Sequence, residues 1–154
     1  MKKMFLSTIT CLALSSNLFA YNVGDTIDDK TAKALNIESG IAVVDFFASW
    51  CVSCKKELPL MQKMSADLAS SGVKIVGVDT DEDVNDGIAF QKELGLKFFV
   101  FNDTKEEIVS KFEPVGMPAI YYIKDKKVVK TLFGAVDNID KVILNDLKGI
   151  KWNN

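Results

Sequence analysis

Ser49-Trp50-Cys51-Val52-Ser53-Cys54-Lys55-Lys56-Glu57-Leu58-Pro59 joins two patterns of different period. Before it, Ile41 to Phe47 is a near-continuous apolar run, as expected of a central strand covered on both faces. After it, Cys54, Leu58, Met61, Met64 and Leu68 recur at three- and four-residue steps, the spacing of a buried helix face. The Cys-x-x-Cys pair therefore sits at a strand-to-helix junction, with Cys51 at the helix N-terminus and Cys54 one turn along. Unpaired N–H groups and the helix dipole favour a thiolate there, and Lys55 and Lys56 add positive charge. Cys51 is the candidate nucleophile and Cys54 its resolving partner. The helix is expected to run to about Ser71 and stop at Gly72, kinked at Pro59.

Composition narrows the chemistry. The 154 residues contain no His, which excludes His-ligated metal sites and Cys-His hydrolysis. A formal charge of −2 with no basic stripe argues against a nucleic-acid partner. Of the three cysteines, Cys11 lies in the N-terminal apolar run and the other two form the motif. Lys2, Lys3, the run Met4 to Leu14 and the small residue Ala20 have the form of a signal peptide, residues 1–20, which implies export to the periplasm. Residues 21–154 are then one domain, and a disulfide closing so short a loop constrains little of the unfolded chain.

Further along, Val73 to Asp79 is a second buried strand, and the acidic stretch Asp79 to Asp86 is a solvated loop and helix start. A helix from Val84 to Leu94 and a strand from Phe98 to Phe101 follow. Thr104-Lys105-Glu106-Glu107 has the form of a capping box opening a helix to Phe112. Ala119 to Ile123 and Val128 to Phe133 form a hairpin, and a last helix ends at Gly149. The order predicts an α/β sandwich, parallel strands first and an antiparallel pair last. Asp45 breaks the central run. An acid among Val43, Val44, Phe46 and Phe47 is costly to bury as a charge, which points to a purpose.

These residues resemble the thioredoxin superfamily. Val43-Val44-Asp45-Phe46-Phe47-Ala48-Ser49-Trp50-Cys51-Val52-Ser53-Cys54-Lys55 is similar to its active-site strand and turn, with the acid six residues before the first Cys. Gly116-Met117-Pro118 resembles its cis-proline loop, so the resemblance implies that Met117 and Pro118 face the Cys pair and hold substrate backbone. Cys54-Lys55-Lys56-Glu57-Leu58-Pro59 and the insert Val84 to Phe112 resemble the exported branch that reduces disulfides during cytochrome c maturation. That implies a three-layer sandwich with a central mixed sheet and an inserted strand and helix before the cis-proline loop. It also implies substrates such as apocytochrome c, a membrane thiol-transfer protein as electron donor, and no cofactor. Asp45 and Glu57 become the candidate proton acceptors for Cys54, and Trp50 a candidate wall of the substrate groove. Val52-Ser53 departs from the dipeptides of thioredoxins and of strong oxidants. The same chemistry run as an oxidase or isomerase therefore stays open, as does a copper chaperone with two thiolate ligands.

Overall fold

The computed structural model describes residues 20–152. In chain order the elements are α1 (Asp29–Ala34), β1 (Ile41–Phe47), α2 (Val52–Ser70), β2 (Val73–Asp79), α3 (Val84–Glu93), β3 (Phe99–Asn102), α4 (Val109–Phe112), β4 (Ala119–Lys124), β5 (Lys127–Phe133) and α5 (Ile139–Trp152). Residues 1–19, with the expected signal and Cys11, lie outside the described residues. Among the described residues no helix is long and apolar enough to cross a membrane.

The apolar run Ile41–Phe47 becomes the middle strand of a five-stranded sheet of order β3-β2-β1-β4-β5. Strands β1, β2 and β3 are parallel, while β4 and β5 run antiparallel as a hairpin. Alternation along β1 separates two cores. Ala42, Val44 and Phe46 pack with Ala32 and Leu35 near α1 and with Phe112 of α4. On the other face, Val43 packs with Met61 of α2 and Ile143 of α5, and Phe47 packs with Cys54, Leu58 and Phe90. Helices thus cover both faces of a mixed sheet, in three layers.

Gly77 of β2 lies opposite Asp45 in register. A Cβ there would stand 2.8 Å from Phe47 Cε1 and 3.1 Å from Val100 Cγ2, so the ring of Phe47 occupies the missing side chain's place. Gly77→Ala should cost roughly 1–3 kcal/mol by overpacking. A urea midpoint equal to the wild type's would show that Phe47 yields freely.

Helix α2 runs Val52–Ser70 with Pro59 inside it, as the sequence leads one to expect. Two local expectations are corrected. Thr104 does not open a helix. Asp103 accepts from the Ile108 and Val109 N–H groups at 3.0 and 2.7 Å, Glu106 takes a left-handed φ of 56°, and α4 is one short turn. Helix α5 continues past Gly149 to Trp152, and Ile150 packs on the core. A glycine costs a helix only about 1 kcal/mol, which apolar packing of this kind offsets.

Candidate active site

A disulfide joins Cys51 to Cys54, with their Cα atoms 5.3 Å apart. Cys51 is the N-cap of α2: its backbone is extended and its sulfur accepts the Cys54 N–H at 3.2 Å. The junction read from the sequence is therefore present. Its accessibility differs from the expectation, because Cys51 is 6% exposed and Cys54 fully buried, a narrow margin. Phe47, Leu58 and Phe90 form one buried cluster with the pair, and Met117 packs against that cluster. Trp50 and Val52, the chain neighbours of Cys51, are by contrast 67% and 73% exposed. Lys55 is not a free charge beside the pair, since it bonds Glu93 of α3 at 2.5 Å.

The Met117–Pro118 peptide is cis. Pro118 is buried and its carbonyl accepts the Gly134 N–H at 2.9 Å, while the Thr80 hydroxyl lies 3.6 Å from Met117 Sδ. The structure thus brings Met117 and its loop to the cysteines. A groove of about 540 Å³ opens between Trp50 and Met117 and is walled by Thr80, Val109 and the carboxylates of Asp81, Glu82, Asp83, Asp86 and Glu106.

Both expected acids are buried. Asp45 is on the face of β1 that α2 covers, between Val43 and Phe47, and is fully buried. Among the described residues neither of its carboxylate oxygens has a hydrogen-bond partner. Burial, then the charge of Glu57, pushes its carboxyl well above the usual range. Glu57, one turn beyond Cys54, accepts the Val136 N–H at 2.7 Å through Oε1. Burial raises Glu57 as well; the Val136 bond opposes this and the Asp137 charge adds to it. Burial that raises a carboxyl also makes its ionised form a stronger base, which suits it to take a proton from a thiol.

The acidic stretch after β2 is not uniformly solvated. Asp79 is 1% exposed and Asp81 7%, whereas Glu82 and Asp83 face solvent. Burial pushes Asp79 up to about 6, against bonds from the Asp81 N–H and Gln91. Phe90, Thr80, Asp81 and Ser49 were not singled out from the sequence. Their partners are far along the chain, and an acid run carries no mark of which member turns inward. Among the described residues no group of three or more Cys, His, Asp or Glu side chains is placed to hold a metal ion.

The chain is similar to the thiol-disulfide oxidoreductase ResA of Oceanobacillus iheyensis, 28% identical over 127 residues, which are 81% of this chain and 66% of that protein. It thus spans just under two thirds of that relative's length. It is also similar to the thiol:disulfide interchange protein DsbE of Pseudomonas fluorescens biotype C, 26% identical over 134 residues, covering 86% of this chain and 72% of that one. A solved thiol:disulfide interchange protein DsbE from Chlorobium tepidum has the same thioredoxin-like fold, with a TM-score of 0.74, 21% identity, and coverage of 84% of this chain and 98% of that one. The family model described as AhpC/TSA matches residues 19–132, from before α1 into the last strand and across the whole Cys51–Cys54 turn. The chain belongs to the AhpC/TSA family of the thioredoxin superfamily.

Proposed function

We propose that the protein is an exported, periplasmic thiol:disulfide oxidoreductase that works as a reductant on protein disulfides, apocytochrome c among them. The observation that carries this reading is the Cys51–Cys54 disulfide capping the N-terminus of α2 against the Met117–Pro118 loop. The names of the ResA and DsbE relatives support the reaction class. Residues 1–20 would supply the export signal, and residues 21–154 the working domain.

In the dithiol form the Cys51 thiolate attacks one sulfur of a substrate disulfide; that bond breaks, an enzyme–substrate disulfide forms, and the leaving sulfur takes a proton. Cys54 then passes its proton to one of the two acids, Asp45 or Glu57, and attacks the Cys51 sulfur. The second substrate sulfur leaves and is protonated. Substrate has gained two electrons and two protons, and Cys51–Cys54 is again a disulfide. A membrane thiol-transfer protein would restore the dithiol by the same steps in reverse. Trp50, Met117 and Pro118 would surround the point of attack and hold substrate backbone.

Turbidity from insulin reduction by dithiothreitol tests the reaction class. The protein should shorten the lag at substoichiometric amounts, and a lag equal to that of dithiothreitol alone would contradict the reading.

A further inference from the structure

Asp81 belongs to the acidic stretch after β2, yet both of its carboxylate oxygens are engaged. Oδ2 accepts the Ser49 backbone N–H and Oδ1 the Ser49 hydroxyl, each at 2.8 Å. Ser49 stands two residues before Cys51, in the turn from β1 to α2. Within that turn the Cys51 N–H reaches the Ala48 carbonyl at 3.1 Å. Thr80, next to Asp81, anchors the turn's root: its N–H and hydroxyl donate to the Phe47 carbonyl at 2.9 and 3.1 Å. Trp50 projects into solvent, so its ring does little to hold the segment.

Asp81 is itself held. Its N–H donates to Asp79 Oδ1 at 3.0 Å, and Asp79 Oδ2 accepts from Gln91 Nε2 at 2.7 Å. Gln91 Nε2 also donates to Asn102 Oδ1 at 2.7 Å. Gly87 of α3 permits this approach, because a Cβ there would fall 2.2 Å from Asp79 Oδ2. A polar chain therefore runs from β3 through α3 and β2 to the residue two before the nucleophile. Largely buried chains of this kind fix geometry, because freeing one member strands its partner without a bond.

We propose that Asp81 is the positioning residue for Cys51: its double grip on Ser49 holds the turn so that the Cys51 sulfur stays against the free N–H groups of α2, and the inserted α3–β3 unit sets that grip through Gln91 and Asp79. The inference rests on Cys51 being the attacking cysteine. Donors at a helix N-terminus stabilise a thiolate only while the sulfur is aligned with them. A loosened turn therefore raises the thiol's pKa. Charge acts the other way, since removing a nearby carboxylate lowers it. Grip and charge predict opposite shifts.

The test is alkylation of the fully reduced protein by iodoacetamide across about pH 5 to 10, with the label located by mass spectrometry. Wild type, Asp81→Asn, Ser49→Ala and Ser49→Thr are compared. Wild type should label first at Cys51. Asp81→Asn presents a donor to one of Ser49's donors; its midpoint should rise by about one unit, a roughly tenfold slower reaction below the midpoint. Ser49→Ala leaves every charge in place and should shift the same way by about threefold, and Ser49→Thr, which keeps the hydroxyl, should restore the wild-type profile. An unmoved or lowered midpoint in Asp81→Asn overturns the proposal. An unmoved profile in Ser49→Ala also overturns it, and decides alone if Asp81→Asn does not fold. First labelling at Cys54 in the wild type would overturn the choice of nucleophile and this inference with it. Labelling at Cys51 with unmoved variants overturns the grip alone.

Discussion

Cys51→Ser should abolish disulfide reduction, whereas Cys54→Ser should react once and stall as a mixed disulfide. The asymmetry follows from the helix end. Cys51 is the N-cap and its sulfur accepts the Cys54 N–H, while Cys54 lies a turn deeper with no exposed surface. Attack needs a thiolate that a substrate can reach, and Cys51 keeps 6% of its surface where Cys54 has none. Resolution needs a second thiol within reach, which Cys54 supplies across the 5.3 Å between the two Cα atoms. Insulin turnover should fall to the background rate in both variants. Non-reducing electrophoresis should show stable adducts with Cys54→Ser only. Adducts formed by Cys51→Ser would reverse the assignment.

The second large effect belongs to Asp45 and Glu57, and it separates stability from turnover. Asp45 is a fully buried carboxyl with neither oxygen bonded among the described residues. Asp45→Val, which suits the surrounding strand, should stabilise the oxidised protein by roughly 1–3 kcal/mol at neutral pH. The pH dependence follows from the raised carboxyl. A group whose pKa rises on folding contributes stability below its unfolded value, about 3.9 for Asp, and loses it as pH climbs through the folded value. Oxidised wild type should therefore weaken from about pH 4 upward. Asp45→Val should weaken less, though not become flat, because Glu57 and Asp79 are raised in the same direction.

Turnover should move the opposite way. Asp45→Asn or Glu57→Gln alone should slow the resolving step by about tenfold, a modest share of what a positioned base contributes. The two carboxyls interact, so the double variant should be slower than either single one, by a factor that need not be their product. It should also be the better oxidant, since less negative charge opposes the thiolate; about 1.4 kcal/mol of that relief corresponds to roughly 30 mV. Stopped-flow reduction of a model disulfide on all four proteins gives the rates. Overlapping pH profiles for wild type and double variant would leave both acids as structural residues.

What could be read from the chain alone followed from local signals. β1 and β2 were legible to the residue because near-continuous apolar runs end at turns, and Asp45 stood out because nothing apolar explains it. The Cys51 cap and the hairpin turn at Asp125 and Lys126 are local chemistry of the same kind. The errors arose where a distant partner or a packed neighbour outweighs a local signal. Thr104 and Glu107 have the spacing of a capping box, yet Asp103 takes the N–H groups and bends the chain at Glu106. Asp79 and Asp81 look like surface charge in an acidic run, but their hydrogen bonds go to Gln91, a helix away, and to Ser49, 32 residues back. The near-equal burial of the two cysteines was also hidden, because Phe90 and Met117 reach the pair from separate segments.

Equilibration of the Cys51–Cys54 couple against glutathione or dithiothreitol buffers, with the oxidised fraction read by alkylation and mass, decides whether the protein is a reductant. Its reduction potential should lie in the reducing range, near the about −270 mV of thioredoxin. A value near the about −120 mV of a strong oxidant would contradict it and make the protein a donor of disulfides.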